Sequence, residues 1–355
     1  MTMTLKKSAL FTDLHFGAKS NSVQHNEDCI NFLEWFCKTV KDDPEIDHVI
    51  FLGDWNQERS AIDILTLNYS QRGAKMLNDL DLPIYFIIGN HDLYKRHTRE
   101  IHSIIHFEQF ANFIPIYDPE VRSEIGKKGM LLCPYLFHDE YTNLTEYSNI
   151  PIWAGHFEFS GFVITGYSNK MKGGPDPLDF KKPKLILSGH FHKRQTQKNI
   201  TYIGNCFPTS FSDEGDTDRG MATYDHTTDS LDFVDWPDCP IYLDVNLSEL
   251  LDTPDLANGA RVKCTVDVPI DYSEGSLLRK TFIDQYNLRA FNLEESAEIR
   301  EALAETEVDE DIVEIKSTST NEMVCEMLQG IETEHIDNDM LVNIYQNLQT
   351  TQADD

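Results

Sequence analysis

The sequence predicts an α/β fold: short apolar strands form a sandwich flanked by helices, followed by a small α+β unit and a helical tail. Three observations carry this. Through the first 240 positions, apolar runs alternate with stretches of helical spacing. Several of those runs end in the same polar chemistry. Beyond the break "DWPDCP" (235–240) a second, smaller set of elements begins. A chain of 355 residues is also long enough for about two domains.

The expected strands, in order, are "SALFTD" (8–13), "HVIFLGD" (48–54), "PIYFIIGN" (83–90), "MLLCPYLF" (130–137), "PIWAGH" (151–156), "FVITGY" (162–167), "KLILSGH" (184–190) and "ITYIGN" (200–205). Each has about the usual strand length of five or six residues. Helical segments separate the early ones; Ile30, Leu33, Phe36, Cys37 and Val40 share one apolar face. The boundaries expected are a main domain over 1–237 and a small α+β domain over 238–294. An acidic linker over 295–317 and two amphipathic helices within 318–350 follow. The small domain should hold the strands "IYLDVNL" (241–247) and "ARVKCTVDVPI" (260–270) and the helix "EGSLLRKTFIDQYNL" (274–288). One tail stripe comprises Met323, Val324, Met327, Leu328 and Ile331, the other Met340, Leu341, Ile344, Tyr345 and Leu348.

Bulk composition narrows the class. No apolar stretch reaches the roughly 18 residues of a membrane span. The N-terminal apolar run is too short for a secretory signal. Seven cysteines without a C-x-x-C pair suggest reduced thiols and a cytoplasmic chain. The formal charge is −30, and residues 301–355 carry fifteen acids against the single Lys316. A nucleic-acid-binding surface normally shows a basic footprint, so the charge weighs against nucleic acid without excluding it.

The chemistry-bearing residues sit at the ends of the runs: Asp13-Leu14-His15, Gly53-Asp54, Gly89-Asn90-His91-Asp92, Gly155-His156 and Gly189-His190-Phe191-His192. All are oxygen or imidazole donors, a mixture suited to Mn²⁺, Fe²⁺ or Zn²⁺ and less to Mg²⁺. Two residues apart on a strand, Asp13 and His15 should face one side, as should His190 and His192. Asp54 is placed to bridge two ions through both of its oxygens. Each motif alone is weak, since Gly-Asp after a strand is commonly a turn. The ordered set points to a binuclear metal site. The remaining histidines, His25, His48, His97, His102, His106, His138, His226 and His335, lack this setting and read as surface or packing residues.

This ordered set resembles the calcineurin-like metallophosphoesterase superfamily, and within it the SbcD-type DNA-repair nucleases, particularly those of T-even-like phages. "GHFEFSGF", "GYSNKMKGGPDPLDF", "SGHFHKRQ" and "DTDRGMATYD" extend the resemblance over roughly residues 5–236. The resemblance implies a four-layer sandwich and a DNA exo/endonuclease using two divalent ions, Mn²⁺ foremost with Mg²⁺ possible. It implies that Asp13, His15 and His192 hold one ion, that Asn90, His156 and His190 hold the other, and that Asp54 bridges. His91 is then expected to stabilise or protonate the leaving 3′ oxygen, with Asp92 orienting His91. Gln57 stands where relatives carry Asp or His, which bears on the handling of duplex ends.

Lys95, Arg96, Lys193 and Arg194 are the candidate phosphate contacts, with a solvated surface as the plain alternative. For the tail, the resemblance implies docking onto the coiled-coil base of an SbcC-like SMC/ABC-type ATPase. Met323, Met327, Leu328, Ile331, Leu341, Ile344, Tyr345 and Leu348 would face that partner. The chain has no G-x-x-x-x-G-K-[ST] of its own. A homodimer within a heterotetramer, in the host cytoplasm if phage-encoded, completes the expectation. The competing readings are a phosphoesterase for small esters or cyclic nucleotides, which the acidic balance suits better, and a scaffold without activity. "GDWNQER" and "GNHD" depart from the protein-phosphatase pattern.

Overall fold

In the computed structural model, which describes residues 4–165 and 169–296, the apolar runs become strands of two six-stranded sheets. The first has the order β16 (Ser230–Asp235), β15 (Gly220–Asp225), β1 (Lys7–Phe11), β2 (His48–Phe51), β3 (Ile84–Ile87) and β6 (Phe113–Ile116). Its last four strands are parallel, while β15 and β16 add an antiparallel edge. The second has the order β13 (Gln195–Gln197), β14 (Ile200–Tyr202), β12 (Leu185–Ser188), β9 (Ile152–Gly155), β8 (Met130–Cys133) and β7 (Glu120–Arg122). Here β14, β12, β9 and β8 are parallel between antiparallel edges. Two hairpins stand outside both sheets: β4 (Leu93–Lys95) with β5 (Thr98–His102), and β10 (Val163–Thr165) with β11 (Asn169–Lys170).

The near-continuous apolarity of the runs has a simple cause: strands of a sandwich covered on both sides bury both faces. Side chains alternate. Leu10, Ile50, Leu52, Tyr85, Ile87, Leu132, Ala154 and Leu187 fill the layer between the sheets. Ala9, Phe11, Val49, Phe51, Ile84 and Phe86 point outward, under α1 (Val23–Asp42) and α2 (Ile64–Asn78). Ile30, Leu33, Phe36, Cys37 and Val40, the face read from spacing, are all buried on α1. Asp63 caps α2, accepting from the Leu65 N–H at 2.8 Å. The outer face of the second sheet is covered differently. Tyr141, Leu144 and Phe180, from 3₁₀ turns at His138–Tyr147 and Pro177–Phe180, pack on Leu131, Trp153 and Ile186. The flanking layer is therefore α-helical on one side and 3₁₀ on the other.

After the sandwich, β17 (Tyr242–Asn246), β18 (Arg261–Val266) and β19 (Ala290–Glu295) form a parallel three-stranded sheet with α3 (Leu247–Asp252) and α4 (Tyr272–Tyr286). Strand β19 was not among the expected elements. Its sequence AFNLEE is half acidic or amide, and Phe291 is its one fully buried residue, so no alternation marks it. Buried Asp28 on α1 receives both Arg261 and Arg289, tying this sheet to the sandwich. The expected linker beyond Ser296 and both tail helices, with their partner-facing residues, lie outside the described residues. Among the described residues no helix is long and apolar enough to cross a membrane.

Candidate metal centre

Parallel strands deliver their C-terminal ends to one edge of each sheet, where open α/β folds place their sites. Asp13 and His15 follow β1, Asp54 follows β2, Asn90–Asp92 follow β3, His156 follows β9, and His190 and His192 follow β12. The structure brings all of them together. Asp13, His15 and His192 offer donor atoms within 4.8 Å of one another, and so do Asp54, His156 and His190. Asn90 Oδ1 joins the second group, 2.9 Å from His156 Nε2 and 2.8 Å from His190 Nδ1.

The route to this convergence corrects the strand argument. Asp13 and His15 do not alternate along a strand; both lie past its end with left-handed backbones, φ 55° and 52°. Asp54 and His190 share that conformation, φ 62° and 86°. A non-glycine residue held there costs roughly 1–3 kcal/mol and persists only where its surroundings over-determine it. Here the two loops zip together: the N–H groups of Asp13, His15 and Phe16 donate to the carbonyls of Gly53, Asp54 and Trp55 at 3.0, 3.2 and 2.8 Å. Trp55, wholly buried, donates from Nε1 to Ser70 Oγ on α2 at 2.8 Å. His190 and His192 likewise lie past the end of their strand, and they fall in different groups, as the resemblance implies. The glycines before the ligands allow close approach. A Cβ on Gly89 would fall 2.1 Å from Asp54 Oδ1, and one on Gly189 would fall 2.2 Å from Thr12 Oγ1.

Individual atoms are assigned by their other bonds. His156 Nδ1 donates to the Leu52 carbonyl at 2.7 Å, so its Nε2 lone pair faces the site. Asp13 Oδ2 accepts from Thr12 Oγ1 and from the His190 N–H, while Oδ1 is buried with no partner. That orphan oxygen lies 3.5 Å from His15 Nε2 and 3.8 Å from His192 Nε2. Asp54 Oδ1 accepts the His91 N–H at 2.7 Å, leaving Oδ2, which is 3.4 Å from His156 Nε2 and 3.8 Å from His15 Nε2. Asp54 Oδ2 is thus the oxygen left facing imidazoles of both donor groups, and any ions held here would draw on it while Oδ1 is engaged by the His91 N–H. A buried carboxylate oxygen without a partner, facing imidazole nitrogens only 3.1 Å apart, fits a cation between them.

The charges agree with that fit. Burial works against ionised Asp13, but His15 and the surrounding imidazoles hold its carboxyl at about 2. Burial, then the neighbouring His156, pushes His190 down to about 3, the neutral form that ligates a metal. Burial would lower His156 too, yet Asp54 raises it to about 9, marking the pull on a cation at that point.

His91 and Asp92 part company. His91 Nδ1 meets the backbone carbonyl of Gln57 at 2.8 Å, and a ring nitrogen of His91 lies within 4.8 Å of donor atoms of His15 and Asp54. Its ring stands edge-on to His15, centroids 4.9 Å apart. Asp92 does not orient it. Both Asp92 oxygens turn inward and accept four backbone N–H groups: Asp54, Trp55, Asn56 and Gly89. Four unpaired donors in a sharp loop hold a carboxylate more strongly than one imidazole does. Gln57 likewise supports His91 through its main chain.

Of the candidate phosphate contacts, Lys95 and Arg96 are exposed at the tip of the β4–β5 hairpin, and Lys193 is half-buried beside His192. Arg194 is not free: it pairs with Asp235 at 2.8 Å and stacks 4.2 Å from the Phe233 ring centroid. Of the two readings left for His25, surface or packing, the structure shows packing. Its Nε2 lies 3.1 and 2.9 Å from the carbonyls of Leu14 and His15, supporting the first ligand loop from below. The sequence reading also passed over Arg59 and Tyr135. Tyr135 lies with its ring centroid 6.0 Å from that of His190 and bonds Glu158 at 2.9 Å. No local pattern marks either residue.

Residues 6–194 match the family model described as calcineurin-like phosphoesterase. Exonuclease subunit 1 of Enterobacteria phage T4 is 27% identical over 187 residues, 51% of this chain and 54% of that protein. The chain thus spans about half the length of the relative it matches. Among solved structures, an archaeal phosphodiesterase is 9% identical over 65% of this chain and 99% of its own, with a TM-score of 0.36. Nuclease MPE of Pseudomonas putida is 15% identical over 62% and 85%, with a TM-score of 0.28.

Proposed function

The chain belongs to the calcineurin-like phosphoesterase family, and from that premise we propose that it is a two-metal DNA nuclease, cleaving phosphodiester bonds at ends, hairpins or single strands. One observation carries the reading: Asp54 Oδ2 lies between the two donor groups, 3.8 Å from His15 Nε2 and 3.4 Å from His156 Nε2, and His91 is held beside it through its N–H on Asp54 Oδ1 and its Nδ1 against the Gln57 carbonyl. The likeness to a phage exonuclease subunit supports the choice of DNA over small esters.

Asp13, His15 and His192 would hold one ion and Asn90, His156 and His190 the second, with Mn²⁺ the best match to the mixed donors. Two such ions, when bound, lower the pKa of water and neutralise charge on a phosphoryl group. The protein supplies the rest. The zipped loops fix the donors before substrate arrives, so no reorganisation is needed at the moment of reaction. Half-buried Asn90, His91, His190 and His192 form the accessible side. Burial lowers the His91 pKa, and an arriving phosphate anion counters that. A proton at His91 Nε2 then passes to the leaving 3′ oxygen.

By the same reading the chain works in the cytoplasm as a homodimer within a recombination and repair complex, alongside an SMC-like ATPase that holds its tail helices. The test is Mn²⁺-dependent cleavage of linear duplex, hairpin and single-stranded DNA beside p-nitrophenyl esters, with and without such an ATPase. DNA cleavage that disappears in His91→Asn supports the reading. Turnover of small esters alone favours the phosphoesterase alternative, and turnover of nothing favours a scaffold.

A further inference from the structure

Arg219 is 1% exposed, the depth of the aromatic core. A guanidinium buried that far needs both counter-charge and acceptors. It finds them in two directions. Nη2 lies 2.9 Å from Asp216 Oδ2 and 3.8 Å from Asp213 Oδ1. Nη1 donates to the main-chain carbonyl of His192 at 2.7 Å. That carbonyl also accepts the Asn205 N–H at 3.0 Å, so it would be satisfied without the arginine. What Arg219 adds is direction: two donors on the two lone pairs of one oxygen fix the orientation of the peptide.

His192 depends on such support more than its neighbours do. His156 Nδ1 rests on the Leu52 carbonyl and His91 Nδ1 on that of Gln57. Among the described residues no such bond sets a second nitrogen of the His192 ring, so its backbone must place it. His190, two residues earlier in the same loop, has a separate anchor, its N–H donating to Asp13 Oδ2 at 3.0 Å. The two ligands of this loop therefore hang from different supports. Arg219 acts on the one that belongs to the first donor group.

The other arm of the fork leads away from the site. Asp213 Oδ2 accepts the N–H groups of Thr209 and Ser210 at 2.9 and 3.2 Å, closing the 3₁₀ turn Phe211–Asp213. That turn is seated on β17, the edge strand of the small α+β unit. Phe211 meets Tyr242 edge-on with centroids 5.2 Å apart, and the Tyr242 hydroxyl donates to the Thr209 carbonyl at 3.2 Å. Glu214 Oε1 accepts the Asp244 N–H at 2.6 Å. A lysine at 219 could neutralise the two aspartates. Only a planar fork can hold them and the His192 carbonyl at once.

We propose that Arg219 is a positioning residue for the first ion: it holds His192 where it completes the group with Asp13 and His15, and braces that ligand against the small α+β unit. The inference rests on the two-metal reading and deepens it. The first ion, and not the second, answers to how the small unit is seated.

The experiment titrates Mn²⁺ calorimetrically into the full chain in two backgrounds. His190→Ala leaves the first donor group whole, and His192→Ala leaves the second. Arg219→Lys should weaken the ion of the His190→Ala background by about 10–100-fold, the usual effect of losing a support behind a ligand. In the His192→Ala background it should change affinity by no more than about twofold, as distant sites do. Phe211→Ala, which loosens the turn on Tyr242 without touching Arg219, should weaken the first ion in the same direction and by less. Equal weakening in both backgrounds overturns the proposal in favour of general loosening. Unchanged affinity in the His190→Ala background overturns it outright, and a first ion indifferent to Phe211→Ala removes the brace. Should Arg219→Lys fail to fold, Phe211→Ala decides by the same comparison. A parent that binds fewer than two Mn²⁺ removes the two-metal reading and the proposal with it. A parent that binds two but cleaves no DNA removes the nuclease reading alone.

Discussion

The carboxylate of Asp92 lies beneath the backbone of Asp54, accepting its N–H at 3.0 Å. The same oxygen takes the N–H of Gly89 at 2.9 Å, and its twin takes those of Trp55 and Asn56. One side chain therefore sets the loop that presents the bridging carboxylate and ties it to the loop that carries Asn90 and His91.

Removing that carboxylate should be felt in stability before chemistry. Asp92→Ala leaves four backbone donors without their acceptor in a buried site, at a cost of about 3 kcal/mol or more. Denaturant unfolding should register the loss, and calorimetry should show weaker Mn²⁺ binding. An Asp92→Ala protein as stable as the parent would contradict this role.

His91 should separate binding from catalysis. In His91→Gln the two donor groups keep all seven candidate ligands, so Mn²⁺ stoichiometry should not change. Cleavage of DNA should fall by about 10²–10⁴, the usual worth of a positioned proton donor. The loss on bis(p-nitrophenyl) phosphate should be much smaller, because p-nitrophenolate leaves without a proton. Equal losses on both substrates would assign His91 to metal binding.

Two ions imply two separable losses. His192→Ala removes a donor of the first group and His190→Ala one of the second. Each should bind one Mn²⁺ tightly where the parent binds two, measured by metal analysis after desalting. Retention of both ions in either variant would reassign that histidine.

Far from the site, Ser8 Oγ lies between His48 Nε2 at 2.7 Å and His226 Nε2 at 2.8 Å, and His48 Nδ1 meets Asp47 at 2.7 Å. Burial, then His48, lowers His226 to about 4, against the opposing pull of Asp47, Asp225 and Asp229. Burial lowers His48 as well. The unfolded chain, with histidine near 6.5, binds these protons first as pH falls. Stability is thus fully present above about pH 6.5 and is lost as pH drops toward 4, by roughly 1–3 kcal/mol for His226. In His226→Gln the unfolding free energy should change less between pH 7 and pH 4.5 than in the parent. An identical pH dependence would exclude His226 as a contributor.

Much of the fold was legible because burial on both faces writes itself into composition. The runs at 48–54 and 83–90 read as strands, and their polar ends as the place where a site would gather. The donors Asp13, Asp54, His156 and His190 were legible for the same reason. Asp92 was misread, since adjacency to His91 in the chain says nothing about which way a carboxylate turns. Arg194 looked free beside His192 because Asp235 and Phe233, its partners, are some forty residues away. Strand β19 carries no alternation to read.

The sequence by itself determined the alternation of strands and helices, the family, and which residue types stand at the strand ends, because hydrophobic period and donor chemistry are local properties. Only the tertiary structure decided which atoms meet. Left-handed turns at Asp13, His15, Asp54 and His190 aim the donors, and they hold only because two loops far apart in the chain bond to each other. The same holds for the bonds that leave Asp54 Oδ2 facing both groups. Which oxygen is left free depends on partners that no local pattern names.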